Sequence, residues 1–439
     1  MKTAGRIAFI SLALSVGAVS FAQTGGGGTL TVAEAVTQVL QHNNSLREAE
    51  DAIAVITAKV GQSRSGLFPA VFAELAYARL GPTSEFALPG LGTFQLFPFD
   101  NYDAHVGAHY MVYDSKRTAR TIELAGSQVA SAVDRKEMVR RDLEFQTGQL
   151  FYAIIFLQDQ SRIQDEHIHM LEEHLETTRR RLASGTATEL DVLNTQSRLV
   201  SAQNQKLELE NSLEKQSIML KRLLGRRGDE PLELIGELSY QPGGPAPEEL
   251  IAAALQRRVE ARAIRSLLET NAIQYKLAGL RDKPAVTLNA SAGVKNGYIP
   301  DLNKPILNFV LALNADIPIF DGHLTRYQKA EVAASAKGLD HRGQEVAEMI
   351  RADVLQALAD VRTSEKELQL VAIPIQQSKK ALEFATARYE AGTVTQLDVI
   401  DAIEACSLTQ LMQLQALYKC VVSTLNLRRA SGAAIIVIE

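Results

Sequence analysis

Four stretches of the chain alternate apolar and polar residues, and the long stretches between them repeat apolar residues at helical spacing. In AVTLNASAGVK (285–295) the apolar set is Val286, Leu288, Ala290, Ala292 and Val294. In DAHVGAHYMVY (103–113) Ala104, Val106, Ala108, Tyr110 and Val112 oppose Asp103, His105 and His109. NFVLALNADIPIF (308–320) runs apolar from Phe309 through Leu311, Leu313, Ala315 and Ile317 to Ile319, opposite Asn308, Asn314 and Asp316. VFAELAYAR (71–79) is less clean, with Val71, Ala73, Leu75 and Tyr77 as its apolar set. Period-two alternation predicts strands with one apolar and one polar face, each about long enough to cross a bilayer at a tilt. A small periplasmic β-sandwich is the competing expectation, weakened because the four strands come as two widely separated hairpins. Four strands cannot close on themselves, and lipid does not tolerate an open sheet edge. Closure therefore calls for further copies of the chain, and three copies would supply twelve strands.

Helical periodicity fills the rest. Residues 31–66 read as one helix, with Thr31 as a cap, Glu34 three residues on and Ala35, Val36, Val39 and Leu40 on one face. Residues 247–281 read as its counterpart. From about Asp114 to Ser184 there is no proline, so about 70 residues form a rod near 105 Å at about 1.5 Å per residue. Residues 321–391 match it except for Pro374, which is expected to kink or locally break the helix. Return helices are expected at 187–224 and 394–431. On the second, Leu411, Leu414, Tyr418, Val421 and Leu425 form a coiled-coil seam. The return helices cover about half of each rod, and the helices at 31–66 and 247–281, stacked end to end with them, cover the remainder.

The halves are copies. RLASGTATELDVLN (181–194) and RYEAGTVTQLDVID (388–401) share Gly185/Gly392, Leu190/Leu397, Asp191/Asp398 and Val192/Val399 at one offset of 207 residues. Each copy lies between long helical segments and reads as a hairpin turn: glycine supplies φ > 0, and Thr188 or Thr395 caps the outgoing helix. Further upstream the offset becomes 215, with FPAV (68–71) falling on KPAV (283–286), so the first copy carries an insertion within 80–101. The chain divides into a leader at 1–22, a first repeat at 23–225, a Gly/Pro-rich linker at 226–246 and a second repeat at 247–439. The linker is expected to pack as an irregular layer at mid-height.

The leader is recognisable because Lys2 and Arg6 precede an apolar run ending in Ser20-Phe21-Ala22, the form of a cleavable secretory signal. Its removal takes the net charge from −5 to about −7, which argues against nucleic acid as a partner. Cys406 and Cys420 lie about 21 Å apart on one predicted helix and cannot pair with each other. Nothing assembles for catalysis: there is no phosphate loop, nucleophile elbow or HExxH. No cofactor or metal is expected. His167, His169 and His174 read as solvated surface histidines, and His105 and His109, about 13 Å apart along a strand, are too distant to chelate one ion.

The duplicated order of helix, two strands, long helix, xGTxTxLDV turn and return helix, above all RYEAGTVTQLDVIDA, resembles the TolC-like outer-membrane efflux proteins over nearly the whole mature chain. The resemblance implies a mostly α chain with a β-barrel portion: a homotrimer closing a twelve-stranded barrel in the outer membrane of a Gram-negative bacterium and a twelve-helix coiled-coil tunnel in the periplasm. It implies a passive exit duct for efflux or type I secretion, docked to a periplasmic adaptor and served by an inner-membrane pump, with no enzyme activity. The turns, through Gly185, Thr186, Leu190, Asp191, Gly392, Thr393 and Leu397, would be the adaptor-docking tips. Asp398 and Asp401, three apart on one helical face, match the acids that narrow the family's periplasmic mouth. Six such carboxylates around a three-fold axis would favour cations. Asp398 has a plainer role open to it, since Asp191 occupies the same first-turn position in the other copy. Tyr389 matches a tyrosine of the family's gate, while Val394 stands where its arginine would be. The alternative function is a pore-less periplasmic coiled-coil adaptor or scaffold.

Overall fold

The computed structural model describes residues 29–90, 92–226 and 232–436, and the secretory leader read at 1–22 lies outside them. In chain order the elements are α1 (Val32–His42), α2 (Asn44–Ser65), β1 (Ala70–Arg79), β2 (Glu85–Leu88), β3 (Gly92–Gln95), β4 (Asp100–Tyr113), α3 (Arg117–Ala183), α4 (Glu189–Leu223), α5 (Pro247–Arg257), α6 (Val259–Ala278), β5 (Ala285–Lys295), β6 (Ile306–Asp316), α7 (Leu324–Glu390) and α8 (Gln396–Ser431). The halves repeat the same order, and the hairpin β2–β3 is the insertion of the first.

The expected single helices at 31–66 and 247–281 are each two. Thr31 and Glu34 form the capping box that starts α1. At Asn43 the backbone turns extended, ψ 127, and the Asn43 side chain accepts from the N–H of Ser45 to start α2. The same break falls at Arg258, ψ 135. Both rods are 67 residues, about 100 Å at about 1.5 Å per residue. The break expected at Pro374 does not occur: α7 runs through it unbroken. Packing along α8 holds the helix where the proline removes one hydrogen bond.

The main core sits where α1, α3, α4 and the linker meet. Phe151, Ile154 and Ile155 of α3 pack with Val39, Leu220, Leu224 and the linker's Leu234 and Leu238. Leu30 and Leu234 form a parallel bridge. A Cβ at Gly236 would lie 2.9 Å from the Phe151 ring, so glycine lets the linker lie flat on α3. Leu414, Val421 and Leu425 of the α8 seam are buried, and Tyr418 stacks on Phe156 with centroids 4.6 Å apart.

The strands form one antiparallel sheet in the order β1-β4-β5-β6, so the two hairpins lie side by side. β6 ends at Asp316 rather than at residue 320, because Pro318 has no N–H to give the ladder. The stretch 80–101, where the first copy was expected to carry its insertion, holds β2 and β3 and the start of β4. Among the described residues no helix is long and apolar enough to cross a membrane.

Candidate functional site

The register of the sheet assembles one apolar face. Leu75, Ala104, Val294 and Leu307 lie in one row across the four strands, Ala73, Val106, Ala292 and Phe309 in the next, and Val71, Ala108, Ala290 and Leu311 in the one after. These side chains have no cover: Leu75 is 83% exposed, Leu307 and Phe309 81%. The other face is polar and internally bonded. Lys295 lies 3.1 Å from Asp103, His105 Nε2 pairs with Asn308 Oδ1 at 2.7 Å, and His109 Nδ1 pairs with Asn289 Oδ1 at 2.7 Å. Gly107 exists for this face, since a Cβ there would come 2.5 Å from the ring of Phe72. An apolar outer face about 25 Å tall over a polar inner one is the surface of a transmembrane barrel wall. Each edge, β1 and β6, lacks a neighbour among the described residues.

At the other end of the rods the two turns are near copies. Gly185 takes φ +77 and Gly392 φ +74. The N–H groups of Thr186 and Thr393 reach back to the carbonyls of Arg181 and Arg388 at 2.9 and 3.0 Å, closing each long helix. Thr188 with Asp191, and Thr395 with Asp398, form capping boxes that start the return helices. The Asp398 carboxylate accepts from the Thr395 hydroxyl at 2.6 Å and its N–H at 2.7 Å, and these bonds hold it below the usual carboxylate range. Asp401, one turn on, is exposed. So are Gly185, Thr186, Gly392 and Thr393. Leu190 and Leu397, matched in the two copies, are 65% and 56% exposed.

Tyr389 is buried inside the helix bundle. The Arg181 guanidinium lies 4.3 Å above its ring and donates to the carbonyl of Glu390 at 3.1 Å. His174 packs on the same tyrosine with centroids 5.2 Å apart. Gln396 donates to the Asp191 carbonyl at 2.8 Å and to Thr195 Oγ1 at 2.5 Å, tying the two return helices together. The cation on Tyr389 comes from Arg181 of the first repeat and not from position 394, where Val394 stands. Its signal was the arginine present four residues before both turn glycines, Arg181 and Arg388. The histidines also differ from expectation: His174 is buried, and the Nε2 atoms of His167 and His174 are buried without a hydrogen-bond partner. Both side chains sit at helix packing interfaces rather than in solvent, and burial pushes both pKa values down. Among the described residues, no group of three or more His, Cys, Asp or Glu is placed to hold a metal ion.

Residues 35–226 and 250–433 match the family described as outer membrane efflux protein. The chain is 25% identical over 313 residues to the cobalt-zinc-cadmium resistance protein CzcC of Cupriavidus metallidurans, covering 66% of this chain and 72% of that protein. It is 27% identical over 321 residues to the pyoverdine export outer membrane protein OpmQ of Pseudomonas aeruginosa, covering 69% of this chain and 64% of that protein. The fold superposes on the solved structure of CusC with a TM-score of 0.75 at 17% identity, over 94% of this chain and 96% of that one.

Proposed function

This chain belongs to the outer membrane efflux protein family, and we propose that three copies of it form the exit duct of a tripartite efflux or type I secretion assembly. The duct is passive and carries small molecules or polypeptides outward from an inner-membrane pump. The observation that carries this is the sheet. Four strands carry an apolar face suited to lipid and a polar face suited to a lumen, with two edges unpaired among the described residues. In hydrocarbon an unpaired edge costs several kcal/mol per backbone group, so β6 of one copy pairs with β1 of the next until twelve strands close. A pore-less scaffold has no use for such a face. The rods then line a twelve-helix tunnel, and the exposed turns around Gly185 and Gly392 meet the adaptor. Tyr389, Asp398 and Asp401 lie at the tunnel's narrow end.

The test is the mass of the detergent-solubilised protein together with its conductance in a planar bilayer. Three chains and a stable ion current are expected. A stable monomer, or a trimer without current, refutes the duct.

A further inference from the structure

The duplication allows one half of the chain to be read against the other at mid-height of the rods. Both return helices end in the same glycine turn. At the end of α8, Gly432 takes φ +72, and the N–H groups of Gly432 and Ala433 donate to the carbonyls of Arg429 and Arg428. At the end of α4, Gly225 takes φ +69, and the N–H groups of Gly225 and Arg226 donate to Arg222 and Lys221. The turn folds the chain back over the helix end and gathers cations there.

In the second repeat those cations are satisfied. Arg429 lies 3.3 Å from Asp142 and 4.6 Å above the Phe145 ring. Arg428 donates to the Ile435 carbonyl at 3.3 Å, and Arg262 to Asp134 at 2.6 Å. Arg141 of α3 donates to the Gly432 carbonyl at 2.7 Å. In the first repeat the equivalent residues are Arg222, Lys221 and Arg47. With Arg226 they line one open cleft beside Ile218 and Glu214. Arg226 donates to Gln38 Oε1 at 2.9 Å and Arg47 to the Gln41 carbonyl at 3.3 Å, but none of the four cations forms an ion pair among the described residues.

What completes the second repeat is a stripe of α3: Asp134, Arg141, Asp142, Phe145 and Gly148. The stripe of α7 at the same repeat positions is His341, Glu348, Met349, Ala352 and Leu355, and it is uncovered, with Met349 42% and Leu355 46% exposed. On α4 the equivalent of the buried Leu425 is Ile218, which is 56% exposed. Both halves of a second contact are thus present on one chain, and among the described residues both stand exposed. At one place the charges are exchanged. Arg141 of α3 faces the Gly432–Ala433 turn, whereas α7 carries Glu348 at that position and the first-repeat turn carries Arg226 in place of Ala433.

We propose that the α7 stripe of one subunit fills the cleft of the next, with Glu348 pairing to Arg226 and Arg222 and with Met349 and Leu355 covering Ile218. The inference rests on the trimer proposed above and adds to it the seam and its register. Because the two surfaces differ, the contact is head-to-tail, and such contacts close into a ring when the rotation between copies closes, as three copies of the sheet require. Loss of one partner of a desolvated pair leaves the other charge unmatched, so a charge change at this seam weakens assembly measurably.

The test is native mass spectrometry of the full-length protein in detergent with rising denaturant. Glu348→Arg should lower the denaturant concentration at which the trimer dissociates, and Glu348→Arg combined with Arg226→Glu should recover most of that loss. A second measurement uses Glu348→Cys with Arg226→Cys in a background of Cys406→Ala and Cys420→Ala, in which oxidation should link chains into covalent dimers and trimers. If the wild-type protein is trimeric but Glu348→Arg leaves dissociation unchanged, or the cysteine pair fails to link chains, this seam is wrong and the trimer stands. A wild-type monomer removes the trimer and the seam together.

Discussion

Arg181 holds its guanidinium 4.3 Å above the ring of Tyr389 and donates to the backbone of Glu390, so the last turn of α3 is fastened to the last turn of α7. A cation over an aromatic ring is worth about 0.5–2 kcal/mol, and a hydrogen bond from a charged donor about 1.5–3 kcal/mol. With part of this lost to solvent, Arg181→Gln should loosen the tip by roughly 1.4 kcal/mol, which is about tenfold. Amide hydrogen exchange across residues 386–392 should speed up by that factor. Arg181→Lys should not restore it, because an ammonium cannot stack and donate as a planar fork does. Unchanged exchange in Arg181→Gln would mean the contact does not fasten the tip.

How much of this was legible in the sequence depends on whether a residue's role is local. The strands were legible because alternation is forced by the pleat: the apolar set Val286, Leu288, Ala290, Ala292 and Val294 is the set that the register puts on one face. The turns at Gly185 and Gly392 were legible because two copies at one offset fix them. The helix break at Arg258 was not, since arginine is a good helix former and the break is held by a tertiary contact, Arg258 with Asp353 at 2.6 Å, beside a local one with Glu260. The pairing of Arg181 with Tyr389 was not legible either. The two are 208 positions apart, and only the packing of α3 against the second repeat brings them together.

Buried His174 and His167 make stability depend on pH. Burial pushes their pKa values below the ordinary 6.5, so between that value and the folded pKa the unfolded chain binds more protons than the folded one. Stability is therefore full above about pH 6.5 and declines as pH falls below it, until the folded pKa is passed. Thermal unfolding of the helical part, followed by circular dichroism, should occur at lower temperature at pH 5 than at pH 7.5. His174→Gln should flatten that dependence. An equal slope in the variant would place the pH sensitivity elsewhere.

Exposed Leu190 and Leu397 occupy matching places beside the two turns, the farthest points of the rods from the sheet. If the adaptor docks tip to tip, cysteines introduced by Thr186→Cys or Thr393→Cys should crosslink to it in cells, and Ile235→Cys, at mid-height, much less. Leu190→Asp with Leu397→Asp should reduce adaptor copurification severalfold while leaving the trimer intact, because neither side chain is part of a core. Equal crosslinking at both heights would argue for lateral rather than tip docking.

Asp398 and Asp401 separate into different roles. The Asp398 carboxylate is committed to the Thr395 capping box, and its lowered pKa follows from those hydrogen bonds. Its contribution to the helix start is present above the ordinary carboxylate pKa and is lost as pH falls through the lower folded value. Asp398→Asn should therefore chiefly weaken the start of α8, seen as faster hydrogen exchange in its first turn. Asp401 is exposed and makes no hydrogen bond or ion pair among the described residues, so in a three-fold ring its charge is free to act on passing ions. Asp401→Asn should lower cation selectivity in planar-bilayer recordings severalfold and weaken block by multivalent cations added from the tip side, whereas Asp398→Asn alone should change both far less. If the two single variants lose selectivity equally, the cap does not occupy Asp398 in the working channel. If neither loses it, the constriction is not made of these residues.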